Sequence, residues 1–349
     1  MKKVTILIIT LFISVILSPL QAQKKYKIRT VAFYNLENLF DTINDPEKND
    51  EASPIMKIKG DKQKIYWNKI DKLSSVILQL GAEKANTSPA ILGVAEIENK
   101  KVLEDLVNSE KLKKKNYGII HFDSPDWRGI DVALLYQKRY FKPIHFQAFN
   151  PNIYSENKKI YTRDILWVSG YLDDELIHLL INHWPSRRGG EAKSRPLREK
   201  AAYKVTKIIE KIKENDPNPK LLIMGDFNDD PINTSFKTVL KTKSKKKNVT
   251  KTDLYNPYEN MFRRGFNTLM YRDNINLFDQ IIISFPLLNK DKKDFYSYKM
   301  FKSAIFNKRF LTEKKGRYKG YPFRSFSYGK YTGGYSDHYP VYMYLIKEN

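Results

Sequence analysis

Short apolar runs separated by Gly, Pro, Asp and Asn dominate the middle of this chain, and that spacing predicts strands. Thr30–Tyr34, Ala90–Glu96, Tyr117–Phe122, Ile130–Tyr136, Leu221–Met224, Phe278–Ser284 and Pro340–Ile346 each read as one strand. Ile165–Leu172 and Leu176–Asn182 read as a hairpin over Asp173 and Asp174. Two stretches carry the helical period instead. Lys62–Leu80 sets Ile65, Lys69/Ile70, Leu73, Ile77 and Leu80 on one face and stops at Gly81. Glu191–Asn215 buries a stripe of Ala201, Val205, Ile208, Ile209 and Ile212, and Pro196 marks the start of its regular part. Shorter helices are expected over Lys101–Leu112 and around Pro231–Leu240. Asp41–Gly60 and Lys241–Lys251 read as loops, and Phe285–Gly334 has little periodicity. Several strands follow one another with no helix between, which argues against a purely doubly wound parallel sheet. The expectation is an α/β fold of two mixed sheets packed face to face, with helices outside.

Polar residues recur at the ends of these strands. Asn35 and Glu37 follow the first, Glu96 ends the second, and His183 ends the hairpin. In LLIMGDFNDD the apolar run breaks at Gly225, and Asp226 and Asn228 project on one side, two positions apart. Asp279 opens a late strand, and Asp337 and His338 precede the last. Each has a plainer reading alone: a turn residue for Asn35 or Asp337-His338, a helix-cap acceptor for Glu96, a hydrogen-bonded loop histidine for His183. Together they describe one chemistry. The chain has five His and no Cys, so a set rich in carboxylate and amide oxygens suits a hard cation better than zinc.

Composition sharpens the substrate. The formal net charge is +23, a field that steers polyanions such as nucleic acid, or else keeps a Lys-rich chain soluble. Residues 1–22 start with Lys2 and Lys3, run apolar to about Leu20 and close on Ala22. That is signal-peptide anatomy, with an uncleaved anchor as the alternative. It predicts export to a bacterial periplasm or the medium, and no membrane span after cleavage. The absence of Cys excludes disulfides.

Six segments in order, FYNLENLF, AEIEN, RGIDVALLY, NHWPSRRGG, GDFND with FDQIIIS, and SDHYPV, resemble the motifs of the endonuclease/exonuclease/phosphatase superfamily, the DNase I-like metal-dependent phosphoesterases. The likeness spans about Thr30 to Ile346 and is nearest to the bacterial exported nucleases of that superfamily. It implies a four-layer sandwich of two mixed β-sheets flanked by helices. Residues 23–349 would form one such domain, with a basic-aromatic insertion at about 285–334.

The resemblance also implies roles. Glu96 looks like the principal metal ligand, with Asn35 beside it, Asp337 completing the site and Glu37 at a more variable acidic position. The ion would be Mg²⁺ or Mn²⁺, with Ca²⁺ as a further candidate. Asp226 would orient or deprotonate the attacking water, and His338, held by Asp279, would bind phosphate as an imidazolium. Which of Asp226 and His338 takes the proton stays open. Asn228 and His183 would donate to phosphate oxygens. Arg128, Arg187 and Arg188 lie beside the motifs and could clamp flanking phosphates, or be ordinary surface arginines.

The chain departs from some branches of the family. Asn276–Gln280 stands where inositol phosphatases carry a Pro-Ala-Trp-x-Asp-Arg segment, and no exposed apolar hairpin matches the sphingomyelinase docking loop. The leading expectation is a metal-dependent nuclease, endonucleolytic, acting on DNA, with RNA as a further candidate substrate. Two others remain: a phosphodiesterase or phosphatase for a small or lipid phosphate, and an inactive polyanion-binding protein on the same scaffold.

Overall fold

The computed structural model describes residues 25–290 and 294–349; the segment read as a signal peptide lies outside them. Twelve strands build two six-stranded sheets. In chain order they are β1 (Tyr26–Leu39), β2 (Ile91–Ile97), β3 (Tyr117–His121), β4 (Asp131–Gln137), β5 (Phe141–Phe149), β6 (Ile165–Leu172), β7 (Glu175–His183), β8 (Leu221–Asp226), β9 (Leu254–Tyr255), β10 (Asp279–Ser284), β11 (Lys299–Ile305) and β12 (Val341–Glu348). The first sheet has the order β11-β12-β1-β2-β4-β3 and the second β9-β10-β8-β7-β6-β5. The main helices are α1 (Lys62–Gln79), α2 (Lys100–Val107) and α3 (Glu191–Lys213).

Central strands are covered on both faces, so they read as continuous apolar runs. In β8, Leu222 and Met224 point to the inter-sheet core, where they join Val31, Phe33, Leu134 and Met343 of the other sheet. Leu221 and Ile223 point the other way, against Ala201, Val205 and Ile208 of α3. Ala32, Tyr34 and Leu92 likewise face Ile70, Leu73 and Ile77 of α1 and Leu103 and Leu106 of α2. Helix, sheet, sheet and helix make the four layers expected from the sequence.

Some elements differ from expectation. β5 and β11 were not legible, because each is an edge strand with a mostly exposed or half-exposed face. β5 carries Pro143 at a register shift and β11 carries Lys299 and Lys302, the devices that keep edges from pairing further. So part of the aperiodic 285–334 stretch is sheet. α3 starts at Glu191, and Pro196 lies inside it. The Ser194 hydroxyl donates to the Gly190 carbonyl (2.7 Å) and Arg198 to that of Glu191 (3.3 Å), bracing a turn that the proline weakens. The expected helix over Pro231–Leu240 shrinks to one wide turn, Ser235–Val239. No helix among the described residues is long and apolar enough to cross a membrane.

Candidate active site

Strand direction gathers the polar residues. β1 runs parallel to β2, and β7 to β8, so the four C-terminal ends lie at one end of the sandwich. β10 and β12 run antiparallel to β8 and β1, so they begin there. The register sets Asp226 opposite His183 on one side and Asp279 on the other. Gly225 permits this closeness, since a Cβ there would stand 2.3 Å from the Asn182 carbonyl oxygen.

The ladders break where the carboxylates emerge. Register shifts fall between Asn35 and Leu39 of β1 and between Ala95 and Ile97 of β2. Glu37, Asn38, Glu96 and Asn228 take left-handed φ values of +48°, +51°, +59° and +51°. Such φ values are uncommon in residues other than glycine, and bulges of this kind re-aim side chains out of a sheet. Strain of this sort gathers at functional sites.

The side chains interlock. Asn35 Nδ2 donates to Asp226 Oδ2 (3.0 Å), the Asn228 amide N–H donates to Asp226 Oδ1 (3.0 Å), and the Asn38 amide donates to Glu96 Oε2 (3.0 Å). His183 Nε2 lies 3.6 Å from Asp226 and 3.9 Å from Glu96. His338 Nδ1 pairs with Asp279 Oδ2 at 2.7 Å, and its Nε2 lies 3.9 Å from Asp226. Glu96, His183 and Asp226 bring donor atoms close enough to hold one metal ion, as do Asp226, Asp279 and His338.

The two histidines are driven apart electrically. Burial, then the cations Arg163 and Arg128, hold His183 well below its ordinary pKa, so it is neutral. Its Nδ1 is buried without a partner among the described residues. With carboxylates facing Nε2, the tautomer protonated at Nε2 is favoured and its N–H would point into the site. Burial opposes charge on His338 too, but Asp279 and Asp226 outweigh it and raise the pKa well above normal. These carboxylates favour the imidazolium form of His338. Burial also lifts Asp226 to about 6, and burial and then Asp337 lift Glu96. Carboxylates pushed up by desolvation and by one another form a negative cluster that fits a divalent cation.

Other predicted residues have further ties. The Glu37 carboxylate turns to the 324–326 segment, accepting from the Ser325 amide (2.5 Å), the Phe326 amide (3.3 Å) and Arg324 Nε (3.3 Å). Arg324 also reaches Asp337 at 3.2 Å. Arg187 donates to the Asn228 carbonyl (2.9 Å) and Asp230 (3.0 Å) and lies over the Phe278 ring, which ties loops together. Arg128 is bidentate on Asp126 and half-exposed, and Arg188 is exposed.

Four supporting residues escaped the sequence reading. Buried Arg163 donates to the backbone carbonyls of His183 (3.1 Å) and Trp184 and pairs with Asp126 (3.3 Å). Arg198 and Asp229, both fully buried, bond at 2.6 Å and fasten α3 to the loop after β8. Lys69, fully buried, donates to the Glu37 carbonyl (2.7 Å) and Ser325 Oγ (2.8 Å). Lys69 did leave a signal, a cation in the apolar stripe of α1.

Comparison with known proteins agrees with this geometry. A family model described as "Endonuclease/Exonuclease/phosphatase family" matches residues 30–347. No curated protein matches the sequence. Among solved structures, the human Nocturnin catalytic domain with bound sulfate superposes with a TM-score of 0.54 at 14% identity, covering 94% of this chain and 98% of that one. A Bacteroides thetaiotaomicron mannosyl-6-phosphatase gives 0.52 at 18% identity, covering 91% and 99%. D. rerio TDP2 complexed with single-strand DNA product gives 0.52 at 12% identity, covering 91% and 98%. The likenesses to solved structures establish the fold, and the match of the family model over residues 30–347 establishes that this chain belongs to the endonuclease/exonuclease/phosphatase family of hydrolases.

Proposed function

We propose that the protein is a divalent-cation-dependent nuclease that hydrolyses internal phosphodiester bonds of DNA, with RNA as a further candidate substrate. One observation carries this reading: a cluster of carboxylates, Glu96, Asp226 and Asp337, faces the imidazolium of His338. Glu96 and Asp337 would hold Mg²⁺ or Mn²⁺, with Ca²⁺ as a further candidate. Asn35 joins them, because among the described residues its Oδ1 accepts only the Glu37 amide (2.9 Å) and keeps a second lone pair. When bound, the cation supplies charge neutralisation at a phosphate oxygen.

The chain's own groups account for the rest. Asn35 and the Asn228 amide fix both oxygens of Asp226, which leaves it placed to orient a water and accept its proton. His338, held at Nδ1 by Asp279, presents Nε2–H to the phosphate as a charged donor. His183 offers a neutral Nε2–H. Asn228 spends one amide hydrogen on the Trp184 carbonyl (3.0 Å) and keeps the other for substrate.

The net charge of +23 favours a polyanion over a small phosphate. A phosphatase acting on a sugar phosphate is the second reading, because one similar structure is described as a mannosyl-6-phosphatase. Residues 1–22 support export, which N-terminal sequencing of secreted protein starting at Gln23 would test.

The decisive experiment is a panel of plasmid DNA, RNA, sphingomyelin, inositol phosphates and mannose 6-phosphate, each with and without EDTA. Nicking of plasmid DNA that needs Mg²⁺ or Mn²⁺ is expected. Full turnover in excess EDTA would remove the cation from the mechanism. A preference for a monoester would replace nuclease with phosphatase.

A further inference from the structure

A cavity of about 880 Å³ opens beside the candidate active site. One wall is the hairpin Leu269–Tyr271 and Asn274–Asn276, and the other is the stretch from Glu313 to Thr332. Arg324 and Asp337 line it, so it is continuous with the site's edge. The size is near the top of the range for small-molecule pockets, roughly 300–1,000 Å³, and well beyond what one sugar ring fills.

The lining is aromatic and basic at once. Tyr271, Tyr318 and Tyr328 are 63%, 38% and 84% exposed, unlike Phe306, Phe326 and Tyr298, which are buried in the cores. Two of the three, Tyr318 and Tyr328, are held at their polar ends. Tyr318 and Tyr328 share a hydroxyl–hydroxyl bond, and Asp273 on the hairpin accepts from Arg317 (2.6 Å) and from Tyr321 Oη (2.6 Å). The hydroxyl bond leaves the Tyr328 ring open, while Arg272 lies over the Tyr271 ring at 5.3 Å and Arg317 over the Tyr318 ring at 6.0 Å. Arg272 and Lys315 are exposed, and neither has a carboxylate partner among the described residues.

We propose that this cavity receives the unpaired base of the nucleotide next to the phosphate being cleaved. The inference rests on the phosphodiesterase reading of the neighbouring site. An open tyrosine face such as that of Tyr328 stacks any base, tyrosine rings paired with guanidinium extend the platform, and the cations around them meet flanking phosphates. A lipid chain finds too many charges here. Bases inside a duplex keep their faces stacked on one another, so the base that enters is single-stranded, frayed or flipped out.

Anisotropy of a labelled thymidine oligonucleotide and of its fully abasic counterpart tests this, with EDTA present so that nothing is cut. The full-length mature chain should bind the thymidine strand more tightly. Tyr328→Ala and Tyr271→Ala should each weaken that binding by about 5- to 150-fold, the alanine cost of one stacked base. They should barely change binding of the abasic strand. Both rings are exposed, so unchanged melting temperatures will confirm intact folds. Equal losses on both strands, or no preference in the unmutated protein, would overturn the proposal. Hydrolysis of bis(4-nitrophenyl) phosphate with Mg²⁺ checks the underlying reading separately. Its absence alongside a clear base preference would refute the active-site assignment and leave the stacking pocket standing.

Discussion

The strand-end cluster and the 285–334 lobe hold similar residues under opposite conditions. In the cluster, charge is buried. Asp226 is 2% exposed and burial lifts its pKa to about 6, while Asp279, 2.7 Å away, and then Asp226 favour the charged form of His338 against burial. In the lobe, charge is wet. The Arg317–Asp273 pair is more than half exposed on both sides, where an ion pair contributes little stability. Charges out of water act strongly at short range on a reacting group, whereas charges in water act weakly, and together, on a long polymer. Glu37 joins the two regions. Its carboxylate pins Ser325 and Phe326, and Lys69 supports that contact from beneath.

The largest effects should come from neutralising the cluster. Glu96→Ala should abolish most activity and Asp226→Asn and His338→Ala should each lower kcat by about 10²- to 10⁴-fold, with the fold intact. Steady-state kinetics on plasmid DNA and circular dichroism check both halves. The Asp226–His338 double variant should lose little more than either single one, because groups acting on one phosphate fail as a unit. Multiplied losses would mean that the two act separately.

The same contrast decides what the sequence could reveal. Central strands bury both faces, so β8 and β10 announce themselves as apolar runs, and the site residues at their ends follow. Edge strands bury less, and β5, with Pro143 and four outward residues, looks like a loop. The cluster was legible because few residue types can do its chemistry. Its supports were less so: nothing near Arg163 in sequence shows that its guanidinium bridges Asp126 to the His183 carbonyl. In GDFNDD, the last two aspartates look as catalytic as the first. The structure gives Asp229 to Arg198, and Asp230 to Arg187 and the Leu277 amide.

A middle-sized effect lies in stability. Asp226 and Glu37 have folded pKa values of about 6 and about 7, both raised first by burial. A carboxylate raised on folding favours the fold fully below its unfolded pKa, and that contribution fades as pH climbs through the folded value. The cation-free protein should therefore lose melting temperature between about pH 4.5 and pH 7. Mg²⁺ at 100 times its Kd should restore about 2.7 kcal/mol near pH 8 and much less at pH 5. Calorimetry that finds equal stabilisation at both pH values would place the ion away from the carboxylate cluster of Glu96, Asp226 and Asp337.

The smallest effect concerns the lobe. Lys314, Lys315 and Lys319 are exposed, and Arg317 is not interchangeable with them because it ties the lobe to Asp273. Reversing the three lysines while keeping Arg317 leaves that tie in place. Every lysine that meets a phosphate releases counterions, so each such lysine reversed should flatten the plot of log affinity against log salt by about 0.9. KM for long DNA should rise by up to about tenfold at low salt and converge with the unmutated value at high salt, where screening shortens to a few ångströms. Buried charge at the strand ends hardly feels that screening, so the rate on a minimal diester should be nearly independent of salt in both proteins. A minimal diester slowed as much as long DNA would mean that the lobe shapes the cluster through Glu37, and the division between buried chemistry and exposed recognition would fail there.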